Sequence, residues 1–311
     1  MAAPAHPCEE PYLPFDPQSY HWADVPPTFQ YDGPADVLVG ILYDPAYSSA
    51  MDLFRTLYPR REFSARALAL TTHLATLNAS SYSVWSYRAD ILIDGVDPAL
   101  GNRAQRLAKE LDWMEDMARG NMKSYQVWQH RRLILSALGD PSKELAFVTN
   151  VLDKDAKNYH TWAYRQWVLS QYGGLSSASA QRATHPSLWD GELDYIEKLF
   201  AEDVRNNSVW NHRFFVVFAR GASDIDEEQR RKLVEKEVKW VCLDIPAFNL
   251  MSRQAESHRN SPSPPGTASQ KQVCLLSLPM RQLGRTYEGF CSKQEMFRSL
   301  RTIFPFLCVI S

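Results

Sequence analysis

Residues 124–135 read SYQVWQHRRLIL, and the phrase returns three times: SYSVWSYRADIL at 81–92, NYHTWAYRQWVL at 158–169 and NNSVWNHRFFVV at 206–217. In each copy a Trp (Trp85, Trp128, Trp162, Trp210) is followed three positions on by an Arg (Arg88, Arg131, Arg165, Arg213). Tyr82, Tyr125 and Tyr159 stand three positions before the first three Trp residues, and Asn207 before the fourth. Glu110, Glu144 and Glu192, each followed by Leu, lie 18 positions before the Trp of their own copy; Ala67 holds that place in the first. The unit is therefore an acidic-apolar helix, a short turn and a Tyr–Trp–Arg helix. Successive Trp residues are 43, 34 and 48 positions apart, so length varies between units rather than inside them. Units of this size bury an apolar face only by stacking on neighbours.

Working outward, the pattern predicts first helices over 62–77, 104–118, 143–153, 190–204 and 227–243, and second helices over 81–93, 124–138, 158–171 and 207–219. Asp97–Pro98, Gly120, Asp140–Pro141, Gly173–Gly174 and Gly221 break the chain between them. An earlier helix begins near Ser48, where Met51, Phe54 and Leu57 set a helical period. No strand alternation competes. The fold class is all-α, a right-handed alpha-alpha superhelix made as a crescent of stacked hairpins.

Tyr, Trp and Arg at i, i+3 and i+6 share one side of a helix. They serve either as a recognition surface or as the packing wedge of the stack. Repeat consensus residues favour the second, with each Arg pairing with the Glu of the preceding helix. That arrangement sets hairpin register more than it adds stability.

Residues 1–45, rich in Pro and aromatics without helical period, read as an irregular, partly disordered arm. Residues 46–245 form the repeat domain. In the phase of the repeat, Glu237–Val238 matches Glu110–Leu111, so a further Trp belongs at 255, where Ala255 stands. Residues 246–311 therefore form an atypical, partly disordered tail, with a Ser/Pro-rich run from Ser261 to Ser269. It is either a new element or a variant end.

Composition excludes several classes. The 311 residues are 45% hydrophobic, enough for a sizeable core, and a net charge of −2 gives no electrostatic case for nucleic acid. No apolar run has the length of a membrane span, and the N-terminus lacks the apolar segment of a signal peptide. Five scattered cysteines, without a C-x-x-C pair or Cys/His cluster, point to a reducing, cytoplasmic setting and no metal site.

These repeats resemble the prenyltransferase alpha-subunit repeat, in the form found in the subunit shared by protein farnesyltransferase and type-1 geranylgeranyltransferase. KSYQVWQHRR (123–132), DAKNYHTWAYRQWV (155–168) and EDVRNNSVWNHRFF (202–215) carry the likeness, with YSSAMDLFRTLY (47–58) as the lead-in helix. The resemblance implies a heterodimer with a beta subunit that holds the catalytic zinc, with magnesium a second candidate, and no cofactor in this chain. The implied reaction moves farnesyl or geranylgeranyl from an isoprenoid diphosphate to the Cys of a C-a-a-X protein. Lys123 matches the lysine that contacts the diphosphate, a charge suited to the leaving group. Tyr125 lies by the same pocket. Gln126 matches the glutamine that binds the substrate carboxylate. Tyr82, Asn158, Tyr159 and His160 match residues at the subunit interface, and Trp85, Trp128, Arg131, Trp162 and Trp210 those that hold the repeat. Ser124 departs from the usual Asn. The alternatives are a Rab geranylgeranyltransferase alpha subunit and a non-catalytic helical-repeat scaffold. The last four residues, Cys308–Val309–Ile310–Ser311, themselves read as a C-a-a-X sequence with a Ser that favours farnesyl, against chance in an unrelated tail.

Overall fold

The computed structural model describes residue 16 and residues 19–30, 41–175, 183–219 and 224–243. The chain divides into two compact units, Met1–Val151 and Leu152–Ser311. Among the described residues there are helices and connections and no strand.

In the first unit, α1 (Pro45–Arg60) leads into three hairpin elements: α2 (Ala65–Leu77) with α3 (Tyr82–Asp94), α4 (Arg103–Gly120) with α5 (Tyr125–Leu138), and α6 (Glu144–Leu152). The second unit holds α7 (Tyr159–Gly173), α8 (Glu192–Glu202), α9 (Asn207–Phe214) and α10 (Glu227–Leu243). The sequence-derived helices are found within a few residues of their expected ends. Two boundaries differ for local reasons. The first helix starts at Pro45 because the Asp44 carboxylate caps the amides of Ala46 and Tyr47 (2.9 and 3.1 Å) and Pro45 fits the first helical position. The last second-helix closes its α-turns at Phe214 and continues as a π-helical turn, Phe215–Ala219.

Part of the N-terminal arm is described. Its residues 19–30 are irregular apart from a 3-10 turn at Tyr20–Trp22, yet they are anchored. Trp22 and Val25 are buried. The Thr28 amide donates to the Asp52 carbonyl (3.0 Å) and the Thr56 hydroxyl to the Pro26 carbonyl (2.7 Å). Arg66 on α2 donates to the His21 carbonyl (2.6 Å) and both Asp24 oxygens. Apolar burial plus a bidentate ion pair fixes a segment that lacks helical period. Residues 1–15, 17–18, 31–40 and the whole tail from 244, including Ala255 and Cys308, lie outside the described residues.

The four repeat Trp residues are buried, and each indole N–H donates to the carbonyl six positions earlier: Trp85 to Ala79, Trp128 to Met122, Trp162 to Ala156 (2.9 Å each) and Trp210 to Val204 (2.7 Å). The wedge reading of Trp therefore holds, and the indole also satisfies its one donor on the turn before its helix.

The arginines are buried too, but their partner is the Glu of the following hairpin, not of the preceding helix. In the first unit Arg88 grips Glu110 through Nε and Nη2 (2.7 and 2.6 Å), and Arg131 grips Glu144 (2.9 and 2.8 Å). In the second, Arg165 grips Glu192 and Arg213 grips Glu237. The third guanidinium nitrogen turns back to its own hairpin: Arg88 Nη1 meets the Leu68 carbonyl and the Thr71 and Thr72 hydroxyls, and Arg131 Nη1 the Leu111 carbonyl. Each guanidinium also lies over an aromatic ring three positions past the Glu it grips: Trp113, Phe147, Tyr195 and Trp240, at 4.3, 3.8, 4.2 and 3.2 Å. Ala67 is now explained. No hairpin arginine precedes it, and a carboxylate at that fully buried place would be an uncompensated charge.

The own-hairpin Glu is reached by a different residue, two positions past the Trp. His130 Nε2 lies 2.8 Å from Glu110 and His212 Nε2 lies 2.8 Å from Glu192. Burial by itself raises the Glu110 carboxyl, but the Arg88 charge and the hydrogen bonds from His130 and Arg88 outweigh it and hold its pKa at about 2. Glu192 is lowered in the same sense by His212 and Arg165 against its burial. Both histidines fall below the ordinary 6.5, first because burial disfavours the imidazolium, with the carboxylate opposing.

Two outcomes follow from this geometry. Glu110→Gln leaves the Arg88 charge fully buried without its counter-ion, and the denaturation midpoint should report a loss of about 3–5 kcal/mol. Arg88→Met combined with Glu110→Leu should recover most of it. For pH, the unfolded state binds the histidine protons first, so that stability is complete above 6.5 and lost as pH falls below it. A second loss runs from about 4.5 down to about 2 as Glu110 protonates. Denaturant titrations across pH should show both steps, and His130→Gln with His212→Gln should abolish the first while Arg88 retains much of the second.

Candidate functional site

The site is built at the turns that precede the second helices. In all four, the amide of the cap residue donates to a carbonyl three positions earlier: Ser81 to Asn78, Ser124 to Asn121, Asn158 to Asp155 and Asn206 to Asp203. The cap side chains of Ser124, Asn158 and Asn206 accept from the first helical amides; Ser81 makes no such bond. With the Trp indole bonds, each turn is pinned on both sides.

Pinning decides which side chains face out. The residue just after the cap, at the start of the helix, is Tyr82, Tyr125 or Tyr159, and these are 68%, 63% and 70% exposed. They are not core packers. The expected single stripe thus divides: Trp and Arg go inward, Tyr outward. Lys123 occupies the turn position before the cap and is exposed. Its equivalent in the third hairpin, Lys157, pairs with Asp203 at 3.4 Å. Lys123 makes no ion pair among the described residues.

In the first unit, two bonds bring the turn of the first hairpin against the start of α5. The Gln126 amide donates to the Ser80 carbonyl (3.1 Å), and the Ser124 hydroxyl lies 3.4 Å from the Ala79 carbonyl. The loop that carries Tyr82 is thereby tied to the one that carries Lys123, Tyr125 and Gln126. In the second unit, Asn158 is buried, its side-chain oxygen committed to capping the amides of His160 and Thr161 (3.0 and 3.2 Å). Of the three interface residues expected there, Tyr159 is the exposed one. His160 stacks edge-on to it at 5.6 Å, and partial burial lowers the imidazole pKa. No acid or base role is assigned to it. Among the described residues, no group of three or more His, Cys, Asp or Glu is arranged to hold a metal ion, and no helix is long and apolar enough to cross a membrane.

Sequence reasoning missed the tie between the turns. Its signal was present in the contrast between Ser124 and Asn206 at one repeat position, but the acceptors are backbone carbonyls and carry no residue code.

These hairpins coincide with the segments that match the protein prenyltransferase alpha subunit repeat, residues 64–93, 107–138, 141–172 and 189–220. Among curated proteins, the chain is 41% identical to the farnesyltransferase/geranylgeranyltransferase type-1 subunit alpha of Pisum sativum, over 63% of this chain and 53% of that one. It is 36% identical to the Dictyostelium discoideum subunit of the same name, over 75% and 66%. The geranylgeranyl transferase type-2 subunit alpha of Schizosaccharomyces pombe is 31% identical, over 68% and 81%. Among solved structures, Candida albicans protein geranylgeranyltransferase-I complexed with GGPP aligns with a TM-score of 0.57 at 27% identity, over 93% of this chain and 92% of that chain. The chain belongs to the protein prenyltransferase alpha-subunit family. Within it, the type-1 relatives named here share more identity with the chain than the type-2 relative does. The chain spans about half the length of the Pisum relative.

Proposed function

We propose that this chain is the alpha subunit of a heterodimeric protein prenyltransferase of the farnesyl/type-1 geranylgeranyl kind, working with a beta subunit in the cytoplasm. The observation that carries the reading is Lys123: an exposed ammonium with no ion pair among the described residues, on a turn whose backbone is fixed on both sides. Pre-organised charge of this sort stabilises a departing anion without reorganisation.

In the reaction, the acceptor cysteine gives up its S–H proton to solvent, the thiolate sulfur bonds to C1 of the isoprenoid, the C1–O bond breaks, and diphosphate leaves with the electron pair. Lys123 faces that diphosphate, and the Tyr125 hydroxyl donates to its oxygens. Gln126 offers an amide N–H to the carboxylate of a C-a-a-X acceptor. Tyr82, Tyr159 and His160 face the beta subunit, with Asn158 capping the helix that presents the last two. Zinc, with magnesium as a second candidate, belongs in this reading to the beta subunit, where the zinc would activate the thiol.

The type-2 reading has the lower identity of the relatives compared. The test is co-expression with a farnesyltransferase beta chain. A heterodimer should elute on gel filtration and be active. Lys123→Ala should leave elution unchanged and lower turnover on the order of 10²-fold or more. Unchanged turnover overturns the assignment of Lys123; no heterodimer overturns the function.

A further inference from the structure

The second hairpin is tied to its neighbour by a different device from the fourth. In the fourth, Asn206 does two jobs: its side-chain oxygen accepts the Ser208 amide (3.0 Å) and its nitrogen donates to the Ala156 carbonyl (3.0 Å). Ser124 holds the same position in the second hairpin and is too short for both. Its oxygen is 3.4 Å from the Val127 amide and 3.4 Å from the Ala79 carbonyl, both long for hydrogen bonds. Its shortest hydrogen bond goes to Gln126 Oε1, at 3.1 Å. Gln126 then makes the inter-hairpin bond itself, from Nε2 to the Ser80 carbonyl at 3.1 Å.

The two neighbours also fix which way the amide faces. The Ser80 carbonyl only accepts, so the –NH2 must face it; the Ser124 hydroxyl has one proton to give, so Oε1 faces that. An amide –NH2 carries two N–H groups. One is committed to Ser80, which aims the other.

We propose that Ser124 is a positioning residue for Gln126: its hydroxyl latches the amide so that a single, aimed N–H remains for the carboxylate of the acceptor polypeptide. This rests on the prenyltransferase reading of Gln126 and adds to it the residue that sets the geometry. Removing the latch lets the amide rotate, which weakens acceptor binding without touching the diphosphate side, where Lys123 acts.

The experiment has two arms. In the active heterodimer, Ser124→Ala should raise KM for a C-a-a-X peptide by about three- to tenfold, the loss of one neutral hydrogen bond. KM for the isoprenoid diphosphate should stay constant and kcat change little, and Ser124→Thr, which keeps the hydroxyl, should restore the peptide KM. In the second arm, Ser124→Ala, Gln126→Ala and the double variant are compared for peptide KM and for denaturation midpoint of the full chain. The effects should be strongly non-additive, since the latch has no purpose without the amide. Additive effects on the midpoint, or an unchanged peptide KM in an active enzyme, overturn the latch. A coupled midpoint in a heterodimer without activity leaves the latch standing as geometry and instead overturns the prenyltransferase reading.

Discussion

The structure depends on one interaction: an arginine of each hairpin, buried, bound to the glutamate of the next. Arg88–Glu110 and Arg131–Glu144 do this in the first unit, and Arg165–Glu192 and Arg213–Glu237 in the second. Taking two charges out of water is costly, and the pairing returns that cost only when geometry is nearly ideal. Here it is bidentate, backed by an aromatic face and completed by carbonyls or hydroxyls of the arginine's own hairpin in the first two cases. A hairpin slipped by one turn would bury both charges unpaired. The interaction therefore selects register, while the wedged Trp and Leu side chains supply the apolar burial.

Register also fixes the turns that carry the proposed site residues. The turns before α3, α5, α7 and α9 are pinned by the indole of the Trp that follows, and the Trp is held by the stack. Lys123, Tyr82, Tyr125 and Tyr159 are exposed at these turns and helix starts, while the cap amides and the Trp indoles are engaged in turn bonds. In the proposed reading, Lys123 meets an anionic ligand from a turn whose backbone is already fixed. The linkage runs from a buried ion pair, through a wedge, to an exposed ammonium.

Much of this was legible in the sequence, and the exceptions have physical reasons. The repeat gave the helices, the buried Trp and Arg, and Glu237 as the next carboxylate in phase. The partner of each Arg was misread because the constant 18-residue interval lies within a hairpin, whereas the contact lies between hairpins, where spacing varies. Trp113, Phe147, Tyr195 and Trp240, each three past a Glu, and His130 and His212, each two past a Trp, were readable as patterns; their meaning emerged only with the packing. The docking of Trp22 and Val25 lies outside the repeat pattern, and the Ser124–Gln126 pair ends on the Ser80 carbonyl, an acceptor that residue type does not mark. The candidate residues came from likeness to a family, and the geometry explains why they stand where they do.

The central claim, that register is set between consecutive hairpins, is tested most directly by paired double-mutant cycles on Arg131. One cycle pairs it with Glu144 of the following hairpin, the other with Glu110 of its own, using apolar replacements and the denaturation midpoint. The account predicts a coupling of about 2–3 kcal/mol with Glu144 and nearly none with Glu110. Strong coupling to Glu110 and none to Glu144 would contradict it.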